Sequence, residues 1–113
     1  MCTQSQLTKI LTRVDETAKR VFGGNLSAVY LYGSYARGDQ DADSDVDIMV
    51  LANVPRESLS SHKRPFLELS SELGLENDIV ITVTLKDTKT FNMYLDAVPF
   101  YQNVLKEGIK VAV

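Results

Sequence analysis

Tyr30-Leu31-Tyr32-Gly33-Ser34-Tyr35-Ala36-Arg37-Gly38, a polar loop, then Ser44-Asp45-Val46-Asp47-Ile48-Met49-Val50: this stretch is the most informative in the chain. Its first half completes an apolar, aromatic run over 26–32 that predicts a buried strand. Gly33 lets the backbone come close to a ligand, and the amides that open the following turn can donate to phosphate oxygens. The Ser34 hydroxyl adds another donor. A strand running into Gly-Ser and one helical turn therefore predicts a phosphate cradle. In the second half, Asp45 and Asp47 stand two residues apart on a predicted strand over 45–51, so both side chains leave one face, roughly 6–7 Å apart. Two like charges on a face that would otherwise be buried repel each other and lose hydration, which a cation between them relieves. Carboxylate, water and phosphate oxygens suit Mg2+.

On the N-terminal side, Leu7, Ile10, Leu11, Val14, Ala18 and Val21 form one stripe and predict a helix that Gly23-Gly24 stops. On the C-terminal side, a helix is predicted over 55–73, bent or restarted at Pro65 and ended by Gly74. A third strand follows over 78–85, led by Asp78. Asp87 is a candidate N-cap for a short helix over 88–95, and a further helix spans 99–107. Gly108 is a candidate C-cap, and 109–113 form an edge strand or tail. If the third strand pairs beside 45–51, Asp78 stands next to Asp45 and Asp47. Three convergent carboxylates can hold two metal ions, about 3.5–4 Å apart in such sites. One would carry a triphosphate, the other an attacking hydroxyl whose proton Asp78 could accept. Gly-Ser, Asp-x-Asp or a lone Asp is each ordinary by itself; their order across three apolar strands is not.

The chain has 113 residues, 44% of them apolar, which predicts a single domain over 1–113, small enough to need a partner over part of its surface. Lys plus Arg total 12 against 15 Asp plus Glu, a formal charge of −3. With no long basic run, this argues against duplex nucleic acid as the primary ligand. Cys2 is the only cysteine, so an internal disulfide or a multi-cysteine zinc site is excluded, and it reads as an inert residue near a frayed terminus. No apolar run approaches a membrane span of about 20 residues, and a cytoplasmic setting is expected.

At Gly33-Ser34-Tyr35-Ala36-Arg37-Gly38 and Ser44-Asp45-Val46-Asp47 the sequence resembles the DNA polymerase beta-like nucleotidyltransferase superfamily, in particular its minimal nucleotidyltransferase branch, which includes antitoxins paired with HEPN-domain proteins. The resemblance covers essentially the whole chain. It implies an α/β (α+β) nucleotidyltransferase fold, a small mixed sheet flanked by helices, and use of ATP with Mg2+. On the matched motif, Gly33 and Ser34 take the triphosphate, Asp45 and Asp47 the metal, and Asp78 the third-acid role. Arg37 would touch phosphate or a partner, a surface ion pair being an equal reading. Larger members carry an acceptor-binding domain; the acceptor here is expected from another chain or an oligomer. For members paired with HEPN proteins, the resemblance implies AMP transfer to a tyrosine of the partner, which neutralises a ribonuclease toxin.

Among the remaining residues, His62 reads as part of a solvated helix face, Tyr35 as a residue that could flank a nucleobase, and 98–105 as an amphipathic partner surface. Two alternatives stand beside protein adenylylation. One is transfer to a small molecule such as an aminoglycoside, drawn by the acidic loop over 39–45. The other is a non-catalytic antitoxin that only occludes its partner.

Overall fold

The computed structural model describes residues 2–112. Helix α1 (Gln4–Phe22) begins at a capping box in which the Thr3 hydroxyl accepts from the Gln6 N–H and the Gln6 side chain accepts from the Thr3 N–H. Leu7, Ile10, Val14, Ala18 and Phe22 are buried along one stripe. Gly23, at φ 55°, ends the helix.

β1 (Leu26–Tyr32) and β2 (Val46–Ala52) pair antiparallel, joined by the single-turn helix α2 (Ser34–Arg37) and a polar loop. A 3-10 segment (Arg56–His62) leads into α3 (Lys63–Asn77), where Pro65 sits in the first turn and removes no intrahelical bond. β3 (Ile81–Asp87) pairs parallel to β2. Asp87 then caps α4 (Thr88–Met93), accepting from the Thr90 N–H at 2.8 Å. α5 (Pro99–Glu107) opens on proline, and β4 (Ile109–Ala112) returns antiparallel beside β1. The sheet order is β3-β2-β1-β4, so the expected mixed sheet flanked by helices is present.

Period-2 alternation divides the sheet. Val29, Leu31, Val46, Ile48, Val50 and Ile81 join α1 and α3 in the main core. Ala28, Met49 and Leu51 face the other way, under Phe91 of α4 and Val104 of α5, with Tyr30, Tyr32 and Tyr101 packed against them. Leu31 and Ile48 are fully buried, and truncating either to alanine costs about 2–5 kcal/mol.

Several expectations are corrected here. The third strand begins at Ile81 rather than at Asp78, because α3 continues through Gly74 to Asn77. Gly74 is needed for packing, since a Cβ there would lie 2.9 Å from the Ile79 carbonyl. Gly108 does cap α5, its N–H donating to the Val104 carbonyl at 2.9 Å, but in extended rather than left-handed conformation, and a Cβ there would meet that carbonyl. His62 is half-buried, its ring 5.0 Å from that of Phe22 and its Nδ1 2.8 Å from the Ser58 carbonyl. Cys2 is buried, and its N–H donates to the Tyr35 hydroxyl at 3.1 Å. Tyr35 is therefore part of the core and unable to flank a nucleobase; burial, more than any neighbour, pushes its phenol pKa up.

Candidate active site

The β1–β2 register builds the site. Tyr32 is opposite Asp47, so the residue after Tyr32, Gly33, turns the chain directly over the Asp47 side chain. Gly33 has φ 77° and ψ −157°, and a Cβ there would lie 2.6 Å from Asp47 Oδ2. The sequence at this point needs glycine both for its conformation and for the carboxylate beside it. The carbonyl of Gly33 accepts from the Ala36 and Arg37 N–H groups. The N–H groups of Ser34 and Tyr35, in the first turn of α2, have no intrahelical acceptor. Gly38, at φ 79° and ψ 16°, closes the turn, its N–H donating to Ser34.

Asp45 precedes the first residue of β2 and is exposed; Asp47 is half-buried. Burial, with the nearby Asp45 charge adding to it, holds the Asp47 carboxyl above the usual carboxylate range. Neither acid has an ion-pair partner among the described residues. Two adjacent oxygen donors without a counter-charge, one of them partly desolvated, fit a hard divalent cation.

The third expected acid does not lead a strand. Asp78 caps α3 in the left-handed region (φ 50°, ψ 52°), exposed, lining with Asp45 the cleft between α3 and the start of β2. The parallel register sets Thr82, and not a carboxylate, beside Asp47. Among the described residues no group of three or more His, Cys, Asp or Glu is placed to hold a metal ion. The reason is local: a helix that ends at Asn77 consumes the residues that would have carried Asp78 into the strand.

Arg37 is exposed and committed to carboxylates, its Nε 3.1 Å from Asp39 and its Nη1 3.5 Å from Glu107 of α5. That is the ion-pair reading of this residue. The floor of the site carries no motif. Tyr32 lies on the Asp47 face, and burial raises its phenol pKa against the lowering effect of Thr84, the Asp47 charge adding a smaller push. Phe100 at the start of α5 meets the Tyr32 ring edge-on at 5.4 Å. The available signal was the alternation in β3, where Thr82, Thr84 and Lys86 mark a polar face between Val83 and Leu85.

The sequence and the fold have known counterparts. Residues 7–111 match the family described as nucleotidyltransferase domain. The Thermococcus cleftensis protein adenylyltransferase MntA is 33% identical over 87 residues, 76% of this chain and 84% of that protein. A Methanocaldococcus jannaschii protein, provisionally named a protein adenylyltransferase, is 31% identical over 90 residues, 80% of this chain and 82% of that protein. In fold, the chain resembles one from the crystal structure of a toxin-antitoxin with AMP-PNP (TM-score 0.57, 23% identity, covering 90% of this chain and 72% of that one). It also resembles one from the structure of a tri-AMPylated Shewanella oneidensis HEPN toxin in complex with MNT antitoxin (TM-score 0.52, 19% identity, 92% and 70% covered). A glycine turn laid against an acid pair, on a chain that matches the family from residue 7 to residue 111, has one reading: this protein belongs to the nucleotidyltransferase domain family.

Proposed function

We propose that residues 1–113 act as one catalytic domain that transfers AMP from ATP to a hydroxyl of a HEPN-like helical partner and thereby silences it as an antitoxin. The observation that carries this reading is the contact of the Gly33 turn with Asp47, which puts a phosphate-binding backbone against a carboxylate pair. The relatives named protein adenylyltransferase support it, as do solved structures of similar fold whose partners include an AMPylated HEPN toxin. A cytoplasmic setting, where ATP and Mg2+ are at hand, is what the reaction requires. No helix among the described residues is long and apolar enough to cross a membrane.

The Ser34 hydroxyl and the first amides of α2 bind triphosphate oxygens. Asp45 and Asp47 would hold Mg2+, which, when bound, supplies positive charge to the triphosphate and acidifies a hydroxyl. The acceptor oxygen attacks the α-phosphorus in line, its bond to phosphorus forms, the bond to the bridging oxygen breaks, and pyrophosphate leaves. Asp47, fixed on a strand, orients the reacting groups better than a loop carboxylate would. β3 presents Thr82 beside Asp47, and the proton of the acceptor leaves to water. Phe100 and Tyr32 form an aromatic flank beside the acids on which the partner would lie.

The test is incubation of the purified protein with α-labelled ATP and Mg2+, with and without the helical protein encoded beside it. Label on that neighbour, lost in Asp45→Asn/Asp47→Asn, is the expected result. Neutralisation of the neighbour that survives the double substitution would overturn transfer in favour of occlusion. Label on an aminoglycoside but never on protein would overturn the protein acceptor.

A further inference from the structure

The outer edge of β3 carries features that the transfer reaction does not require. β3 has seven residues and no strand on its outer side among the described residues, whereas the other outer strand, β4, has four. The Val46 N–H donates to the Val80 carbonyl at 2.9 Å, which fixes the alternation of the parallel ladder. Thr82, Thr84 and Lys86 therefore turn their backbone groups toward β2, and Val83 and Leu85 turn theirs outward. Long uncovered edges of this kind pair with other strands unless something blunts them.

Clefts run along the same edge. One of about 810 Å³ lies between α3 and the approach to β2 and β3, and two of about 260 and 500 Å³ continue it. Leu67 lines the first two, and Lys63 and Leu85 line the last two, so they form one groove. Leu67, Leu75 and Val80 are 63%, 87% and 61% exposed on this flank. The groove is also polar in charge. Asp43, Asp45 and Asp78 line one end. At the other, Arg56, Lys63 and Lys86 outnumber Glu57 and the buried cap Asp87.

The charges of α3 run the same way. The helix has no acid in its first turn and no base in its last; it begins Lys63-Arg64 and ends at Glu76 and its cap Asp78. This order opposes the helix dipole, which favours acids at the start and bases at the end. A helix lying antiparallel beside it would set bases against acids at both ends.

We propose that a second copy of this chain docks antiparallel on β3, joining the two sheets into one of eight strands with the two α3 helices side by side. Pairing all seven residues puts Thr84 on the two-fold axis and Val83 opposite Leu85 of the other copy, so the outward groups of each strand meet. The acidic end of each groove then faces the basic end of the other. Residues opposite each other in a ladder share a face, and Thr82 shares the face of Asp47. Thr82 lies opposite the second copy's Lys86, so that lysine arrives one strand away from Asp47. Where the transfer reading holds, it brings a cation to the nucleotide phosphates; this clause alone rests on that reading.

The test uses the full chain without nucleotide, so its outcome is independent of transfer. Light scattering and sedimentation should give about twice the 12.6 kDa of one chain, with association weakening as salt rises. Amide exchange should show Val83 and Leu85 protected in the dimer and exposed on dilution. Lys63→Glu/Arg64→Glu should raise the dimer Kd at least about tenfold while leaving the fold intact by circular dichroism, since it corrects the helix dipole. Adding Glu76→Lys to that pair should recover association. A protein that stays monomeric at about 1 mM, a dimer whose Val83 and Leu85 amides exchange freely, or a Kd unmoved by the charge reversal would each overturn the proposal.

Discussion

Gly33→Ala and Gly38→Ala, made side by side, separate backbone strain from damage to the acid pair. Gly38 occupies the left-handed helical region, where alanine costs about 1–2 kcal/mol, and a Cβ there has nothing within 4 Å. Gly33 lies in a region that is essentially glycine's alone, where strain costs about 1–3 kcal/mol. Its Cβ would also lie 2.6 Å from Asp47 Oδ2, well inside the 3.4 Å at which ordinary contact begins. Asp47 has a short side chain, so it relieves the clash by swinging its carboxylate by roughly 1 Å, and displacement on that scale costs about 100-fold in rate. Each kcal/mol lowers the Tm of a chain this size by about 4 °C. Gly38→Ala should lose about 4–8 °C and transfer at close to the wild-type rate. Gly33→Ala should lose about 4–12 °C and about two orders of magnitude in transfer. The assays are thermal denaturation and label transfer from α-labelled ATP at a temperature where both variants are folded. Equal transfer by the two would refute the argument that the glycine turn positions Asp47.

Asp78→Gly places the favoured residue at a left-handed helix cap, so stability should rise by up to about 1 kcal/mol with transfer retained; loss of transfer would return Asp78 to the site. Asp47→Asn removes a partly desolvated charge beside Asp45. At neutral pH without metal it should melt higher than wild type, and added Mg2+ should raise only the wild-type Tm. Asp87→Ala strips the cap of α4 and leaves the Thr90 N–H without its acceptor, a loss of about 1 kcal/mol in urea denaturation. Burial pushes the Asp87 carboxyl up, but the bonds from Thr90 and the Lys86 charge outweigh it, and its folded pKa is lowered. An acid with a depressed folded pKa binds fewer protons when folded. Its stabilisation is complete above the unfolded value of about 3.9 and fades as pH falls through the folded one. The wild type should show that acid loss and Asp87→Ala should lack it; matching acid limbs would refute it.

Where residues act through their own neighbours, the sequence was legible. The stripe of α1, the runs of β1 and β2, and the Pro99 start and Glu107 end of α5 follow from period and capping. So does the Gly33-Ser34 turn beside Asp47, whose parts are all near in sequence. The rest turned on contacts that period and capping do not display. Asp78-Ile79-Val80-Ile81 looks continuous with β3, but Gly74 is held against the Ile79 carbonyl and the helix runs on to Asn77. Asn77-Asp78, two residues tolerant of the left-handed region, are the local sign of that helix end. Tyr35 is held by Cys2, 33 residues away, and no local pattern announces such a bond.

The antiparallel hairpin from Leu26 to Ala52 contains the glycine turn, the serine and both acids, and its register alone brings them together. Contacts that close over so short a span cost little loop entropy. Its apolar face packs on α1, which precedes it in the chain. During synthesis, the reacting centre can thus take shape while α3, β3 and the C-terminal helices are still being made. The later half of the gene can change its surfaces, and with them its partners, without rebuilding the centre itself.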